Sequence, residues 1–168
     1  MRYPHSWPIA SPPRLPACFA SPPQTVDRLT KARRSWNMSR IKGRDTGPEL
    51  AVRSVLHRLG FRFRLHRRDL PGRPDLVLVR LRVVIFVHGC FWHQHKGCRF
   101  AYKPKSNAAF WLSKLASNVE RDRINVRELK ALGWNVLTVW ECQTSDVATL
   151  AARLAEALRK PGQRPVSR

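Results

Sequence analysis

Between His88 and Cys98 the chain reads HGCFWHQHKGC, a stretch holding three histidines, two cysteines and an adjacent Phe-Trp pair. Imidazoles exchange protons near neutral pH and bind metals, thiolates bind soft cations such as zinc, and aromatic rings stack on nucleobases. Cys90, His95 and Cys98 have the short spacings of a zinc site, and Cys142 is a candidate fourth ligand. Such a site staples an irregular loop that has little core of its own. Spacing leaves open which of His88, His93 and His95 ligates. A zinc knuckle accounts for the cysteines and one histidine, not for all three histidines and Phe91-Trp92. Free buried cysteines are the plainer alternative.

These groups need a strand end to hold them. Val83-Val84-Ile85-Phe86-Val87 is a continuous apolar run that ends at His88. Asp75-Leu76-Val77-Leu78-Val79 is a second such run, and only Arg80, Leu81 and Arg82 lie between, which predicts a hairpin. A turn centred near Leu81 sets Asp75 beside Val87, on one face of the sheet. A carboxylate and a strand-end carbonyl are hard ligands suited to Mg²⁺, with His88 and His93 close by. The loop Leu70-Pro71-Gly72-Arg73-Pro74 delivers Asp75 to a strand start that a groove can reach. The bland alternative is that Asp75 caps a turn or pairs with Arg73.

The other elements follow from periodicity and caps. Thr46-Gly47-Pro48-Glu49 opens a helix, with Thr46 as N-cap, Pro48 in the first turn and Glu49 at the capping-box position. Its apolar stripe is Leu50, Val52, Val55, Leu56 and Leu59, and Gly60 ends it. Phe61 to Leu65 alternates as a strand. A basic loop, Arg99 to Ser106, leads to a long helix over 107–132, stopped by Gly133. Trp134 to Glu141 is a fourth strand, with Trp134 and Trp140 as core and Cys142 at its end. Thr144 or Ser145 caps a last helix through Arg159. The order predicts an α/β fold, a central mixed β-sheet flanked by helices on both faces. His57 and His66 are read as ordinary surface residues.

A chain of 168 residues suits one domain with a real core. Its 32 Lys+Arg against 11 Asp+Glu give a formal net charge of +21, a field that favours a polyanion, nucleic acid above all. No apolar stretch approaches the roughly 20 residues of a membrane span. Four cysteines point to metal ligation in a reducing compartment, not to a disulfide framework. Residues 1–30 form a Pro-rich extension expected to be disordered, with His5 and Cys18 outside any site. A start at Val26, if encoded as GTG, would leave residues 1–25 untranslated. The domain is expected over 31–160, with a disordered tail at 161–168.

The residues match a family pattern. Asn37-Met38-Ser39-Arg40-Ile41, Arg44-Asp45-Thr46 with Glu49, Leu70-Pro71-Gly72-Arg73-Pro74-Asp75, Val84 to His93, Phe110-Trp111, Asn118 to Asp122, Gly133-Trp134 and Val139-Trp140-Glu141-Cys142 carry it. In these stretches, spanning about residues 33–160, the chain resembles the very short patch repair endonucleases, bacterial enzymes that nick DNA at T:G mismatches. The resemblance implies a restriction-endonuclease-like fold and Mg²⁺-dependent phosphodiester hydrolysis. It maps Asp75 onto the Mg²⁺-binding aspartate and Val87, where threonine is common, onto the backbone carbonyl ligand. His93 falls on the general base, with His88 and Glu49 as supporting catalytic groups, though a capping box alone also explains Glu49. Cys90, His95, Cys98 and Cys142 fall on structural Zn²⁺ ligands. Phe91, Trp92 and Trp111 fall on rings that insert beside the mismatch, Met38 on a wedge from the other groove, and Asn118 on a DNA contact.

The implied partners are double-stranded DNA bearing a T:G mismatch and mismatch-repair proteins, with no membrane. A monomer is expected, in the bacterial cytoplasm at the nucleoid. Two alternatives stand beside the mismatch-nicking endonuclease: a non-catalytic zinc-stapled DNA-binding module and, more weakly, a restriction endonuclease of the same fold cutting both strands. Asp75 and His93 argue against the first, because a binding module has no need of a carboxylate in a basic groove. The missing Glu-x-Lys after the aspartate argues against the second.

Overall fold

The computed structural model describes residues 30–40 and 43–159. The Pro-rich extension with His5, Cys18 and Val26, the position Ile41 and the 161–168 tail lie outside the described residues. Four helices and four strands follow in the order α1 (Lys31–Ser39), α2 (Gly47–Arg58), β1 (Arg64–Leu65), β2 (Leu76–Leu78), β3 (Val83–His88), α3 (Ala108–Ala131), β4 (Asn135–Trp140) and α4 (Val147–Arg159). The strands form one sheet in the order β1-β2-β3-β4, antiparallel from β1 to β3 and parallel between β3 and β4. Helix α3 is the crossover that parallel neighbours require. The mixed sheet expected from the element order is therefore present.

Strand alternation divides the core into two layers. Leu76, Leu78, Val83, Ile85 and Val139 face Val52, Val55 and Leu56 of α2 and Leu150, Leu154 and Leu158 of α4. Val77, Val84 and Phe86 face Leu129 of α3 and Trp134. Trp134 is buried as expected, whereas Trp140 is only partly buried. Because helices cover both faces, β2 and β3 up to Val87 are apolar without interruption.

Four local expectations change. The hairpin is one residue out of the expected register: Leu76 pairs with Ile85 and Val77 with Val84, which aligns Asp75 with Phe86. The reason is the connection. Val79–Leu81 winds into a single 3-10 turn and Arg82 turns back in a left-handed conformation at φ 54°, so four residues link the strands, not three. Second, Phe61–Leu65 pairs only at Arg64 and Leu65, while Phe61 and Phe63 pack against the core edge. Third, Leu50 lies off the buried stripe of α2, 52% exposed. Fourth, the side chain that caps α4 is Asp146, whose Oδ1 accepts from the Ala148 N–H at 3.0 Å, while Thr144 and Ser145 donate back to the carbonyls of Glu141 and Cys142.

Helix α1 was not expected, because it has no apolar stripe. It starts where the Arg33 N–H donates to Thr30 Oγ1 at 3.2 Å, and the guanidinium groups of Arg33 and Arg40 lie over the exposed Trp36 ring. Among the described residues no helix is long and apolar enough to cross a membrane.

Candidate active site and metal centre

A groove of about 670 Å³ opens where β2 starts and β3 ends. Glu49 and Thr46 line it from α2, Asp75 and Arg73 from the β2 entry, Val87 and His88 from β3, and Trp92 and His93 from the following loop. Asn118, Arg121, Asp122 and Asn125 close the far wall. Those four sit at helical spacing on α3, a polar stripe on one face.

Asp75 reaches Val87 despite the shifted register. It precedes β2, and its Oδ2 accepts from the Val87 N–H at 2.7 Å. Its Oδ1 faces the groove, with His66 Nδ1 4.0 Å away. Burial pushes the Asp75 carboxyl above its usual range, and the Glu49 charge adds to that, against the Val87 hydrogen bond. A half-buried carboxylate with one oxygen free of hydrogen bonds suits a hard cation.

Glu49 is buried and fully engaged. Its Oε1 accepts from the Thr46 hydroxyl at 2.8 Å, and its Oε2 accepts from the Asp45 N–H at 3.1 Å and from Arg53 Nη2 at 3.0 Å. The capping box is therefore real, in a variant that returns to Asp45 instead of Thr46.

His93 carries the strongest polar contact of the groove. Its Nδ1 lies 2.5 Å from Asp122 Oδ2, across a sequence separation of 29 residues. A carboxylate only accepts, so Nδ1 holds a proton, and in the neutral ring the lone pair is on Nε2. His88 stacks on His93 with ring centroids 3.9 Å apart and planes 10° apart. Burial, with the charge of His93, holds His88 down at about 4 against the opposing pull of Asp122.

That depression has a stability consequence. Between pH 6.5 and about 4 the unfolded chain protonates His88 while the folded chain does not, so stability falls as pH drops through this window. The loss should reach roughly 3 kcal/mol. Denaturant unfolding of wild type and His88→Gln across pH 4–7 checks it, since the other titrating groups are common to both. Parallel pH profiles for the two proteins would refute it.

Of the three histidines left open by spacing, the structure selects His95 for the soft cluster. Its Nδ1 is 3.7 Å from Cys90 Sγ and 3.4 Å from Cys142 Sγ, and one donor atom each of Cys90, His95, Cys98 and Cys142 lies within 4.8 Å of the others. Sulfur at about 2.3 Å and nitrogen at about 2.0 Å from one tetrahedral zinc sit roughly 3.5 Å apart, so the set fits. Cys90 and Cys142 come from the ends of the parallel neighbours β3 and β4, and His95 stacks flat on Trp140 at 4.2 Å. Burial pushes the Cys90 thiol up to about 12, so a cation must displace protons to bind there.

The aromatic residues gather beside the groove. Phe91 packs edge-on against Trp92 at 5.1 Å and Trp111 at 5.5 Å, and the exposed Tyr102 lies 5.0 Å from Phe91. Asn118 Nδ2 donates to the Trp92 carbonyl at 3.1 Å and pins that loop to α3. Met38, on α1, is 43% exposed and is not among the groove-lining residues.

Sequence reasoning missed four participants. Asp122 and Glu141 stand in the stretches that carry the family resemblance but were assigned no role. Glu141 Oε2 accepts from the Cys90 N–H at 3.2 Å and ties β4 to the histidine loop. Arg53 and His66 join the Glu49–Asp75 corner, so His66 is not an ordinary surface residue; His57 is exposed as expected.

Comparison with known proteins fixes the family. Residues 26–99 match the model for the DNA mismatch endonuclease Vsr. The DNA mismatch endonuclease Vsr of Escherichia coli is 50% identical over 117 residues, 70% of this chain and 74% of that protein. The chain belongs to the Vsr family of DNA mismatch endonucleases. It is a DNA-cleaving hydrolase. Other relatives include the type II nicking enzyme V.XorIIP of Xanthomonas oryzae pv. oryzae, 50% identical over 133 residues, 79% of this chain and 97% of the relative. The type II nicking enzyme V.NmeAIP of Neisseria meningitidis is 41% identical over 135 residues, 80% and 96% of the two chains.

Proposed function

We propose that this Vsr-family member nicks one strand of duplex DNA at T:G mismatches, with Mg²⁺ at Asp75 and the Val87 carbonyl and Zn²⁺ held by Cys90, His95, Cys98 and Cys142. The observation that carries the reading is the His93–Asp122 pair opening into the same groove as Asp75. The resemblance extends the reading to a restriction-endonuclease-like fold, a domain over residues 31–160 and a monomer acting in the cytoplasm.

Phosphodiester hydrolysis needs an activated water and a counter-charge for the phosphate. The cation would supply the counter-charge. Asp122 fixes the tautomer of His93, so that Nε2 can take the proton of the attacking water. Asp122 then stabilises the imidazolium that results. His88, kept unprotonated by burial, stacks on His93 and fixes its ring plane without adding a competing charge. Glu49 organises the start of α2 beside Asp75, and its committed oxygens favour a supporting role over cation ligation. The basic surface binds the flanking phosphates whatever the sequence.

Mismatch selection rests on deformation. Unstacking a base step costs a few kcal/mol, and less where pairing is already weak. Phe91 and Trp92, on a loop that the zinc site would pin, pack with Trp111 of α3 into an aromatic wedge, and Met38 is the candidate wedge from the other groove. Trp92→Ala should keep zinc and fold yet lose roughly tenfold of the preference for T:G over T:A, given the size of base–aromatic stacking. Nicking rates on duplexes differing only at that base test it. Unchanged preference in both Phe91→Ala and Trp92→Ala would mean the mismatch is read elsewhere.

A further inference from the structure

Asp45, Glu49 and His66 each offer a donor atom within 4.8 Å of the others, a grouping that by residue type resembles a second cation site. A side-chain cation already fills it. Arg53 Nη1 lies 2.5 Å from Asp45 Oδ1, and Nη2 lies 3.0 Å from Glu49 Oε2 and 3.2 Å from His66 Nε2. The Arg53 side chain is only 13% exposed, and its Nε is buried without a hydrogen-bond partner among the described residues. Nη2 bridges Glu49 and His66.

That bridge dictates a proton position. Arginine has donors and no acceptor, so His66 Nε2 must accept and the ring proton must sit on Nδ1. Nδ1 is the atom that faces Asp75 Oδ1, at 4.0 Å. The separation exceeds a hydrogen bond, yet Oδ1 is the Asp75 oxygen within 4.0 Å of Nδ1 and the one that Val87 does not hold. The other tautomer would set a donor against Arg53 and a lone pair against Asp75.

We propose that Arg53 and His66 are positioning residues for Asp75, with Arg53 fixing the His66 tautomer and the His66 Nδ1–H holding the free Asp75 oxygen where a cation can take it. The inference rests on the reading of Asp75 as the Mg²⁺ ligand. Outer partners of this kind change metal affinity by about 10–100-fold when removed. Glutamine reproduces one acceptor and one donor on a similar reach, whereas phenylalanine keeps the ring and loses both.

The test uses full-length, zinc-loaded protein and two readouts: Mn²⁺ binding by loss of the free-ion electron paramagnetic resonance signal, and the Mg²⁺ concentration for half-maximal nicking. His66→Phe should weaken Mn²⁺ binding and raise the Mg²⁺ requirement about tenfold, with the rate at saturating Mg²⁺ changed much less. His66→Gln should restore most of both, and Arg53→Ala should resemble His66→Phe. Zinc content and melting temperature verify that the His66 variants fold, so the result does not depend on Arg53→Ala being stable. Wild-type Mn²⁺ affinity in His66→Phe overturns the proposal, as does a His66→Gln protein no better than His66→Phe. Asp75→Asn separates the two levels. If it loses Mn²⁺ binding while His66→Phe retains it, only the positioning role fails; if it retains binding, the Asp75 assignment falls as well.

Discussion

His93→Ala should lower the nicking rate on a T:G duplex by about 10²–10⁴, the usual share of a positioned general base, and Asp75→Ala, which removes the proposed cation ligand, should lower it at least as far. Affinity for the same duplex should change little, because phosphate contacts from a chain of net charge +21 supply most of it. Asp122→Asn is the more searching variant. It keeps the shape beside His93 Nδ1 but permits an amide N–H where only an acceptor stood, which favours the wrong imidazole tautomer. It should therefore fall in the same range as His93→Ala, although local sequence reading assigned the residue no role. Single-turnover nicking with Mg²⁺, alongside gel-shift binding without it, separates chemistry from affinity. Near wild-type nicking by Asp75→Ala would redirect the assignment to another carboxylate or to the binding-module reading.

Contacts local in sequence were legible, and distant ones were not. The Thr46–Glu49 box, the apolar β2 and β3 runs and the Gly133 stop each announce themselves within a few residues. The hairpin register failed because counting residues between strands ignores how the turn is wound, and a 3-10 turn with Arg82 left-handed absorbs one more than a tight loop. The site survived because Asp75 lies outside the paired register and turns its carboxylate to the Val87 N–H. His66 looked like a surface strand residue until α2 supplied Arg53 to its Nε2 and the β2 entry brought Asp75 to its Nδ1. The choice among His88, His93 and His95 shows the same limit. Asp122 claims His93, burial beneath the Phe86 and Trp140 rings occupies His88, and only His95 points its Nδ1 at the sulfurs.

Cys142→Ala should lose bound zinc and cooperative unfolding together. The four donors come from the chain just past β3, from just past β4 and from the loop that leads to α3, so one ion would tie that loop to the paired strand ends. Among the described residues of that loop, from Phe91 to Ser106, none is a fully buried hydrophobe. Metal binding there is therefore part of the folding free energy, and removing one thiolate removes much of it. Elemental analysis should find about one zinc per chain in the wild type and little in the variant. Thermal melts should show a sharp wild-type transition that a strong chelator at elevated temperature converts to the broad one of Cys142→Ala. Nicking should fail with the metal, because the same loop carries Trp92 and His93, and Glu141 beside Cys142 holds the Cys90 N–H. A Cys90→Ala, Cys142→Ala double variant that kept its full zinc content would refute the assignment, since two of the four donors would then be dispensable.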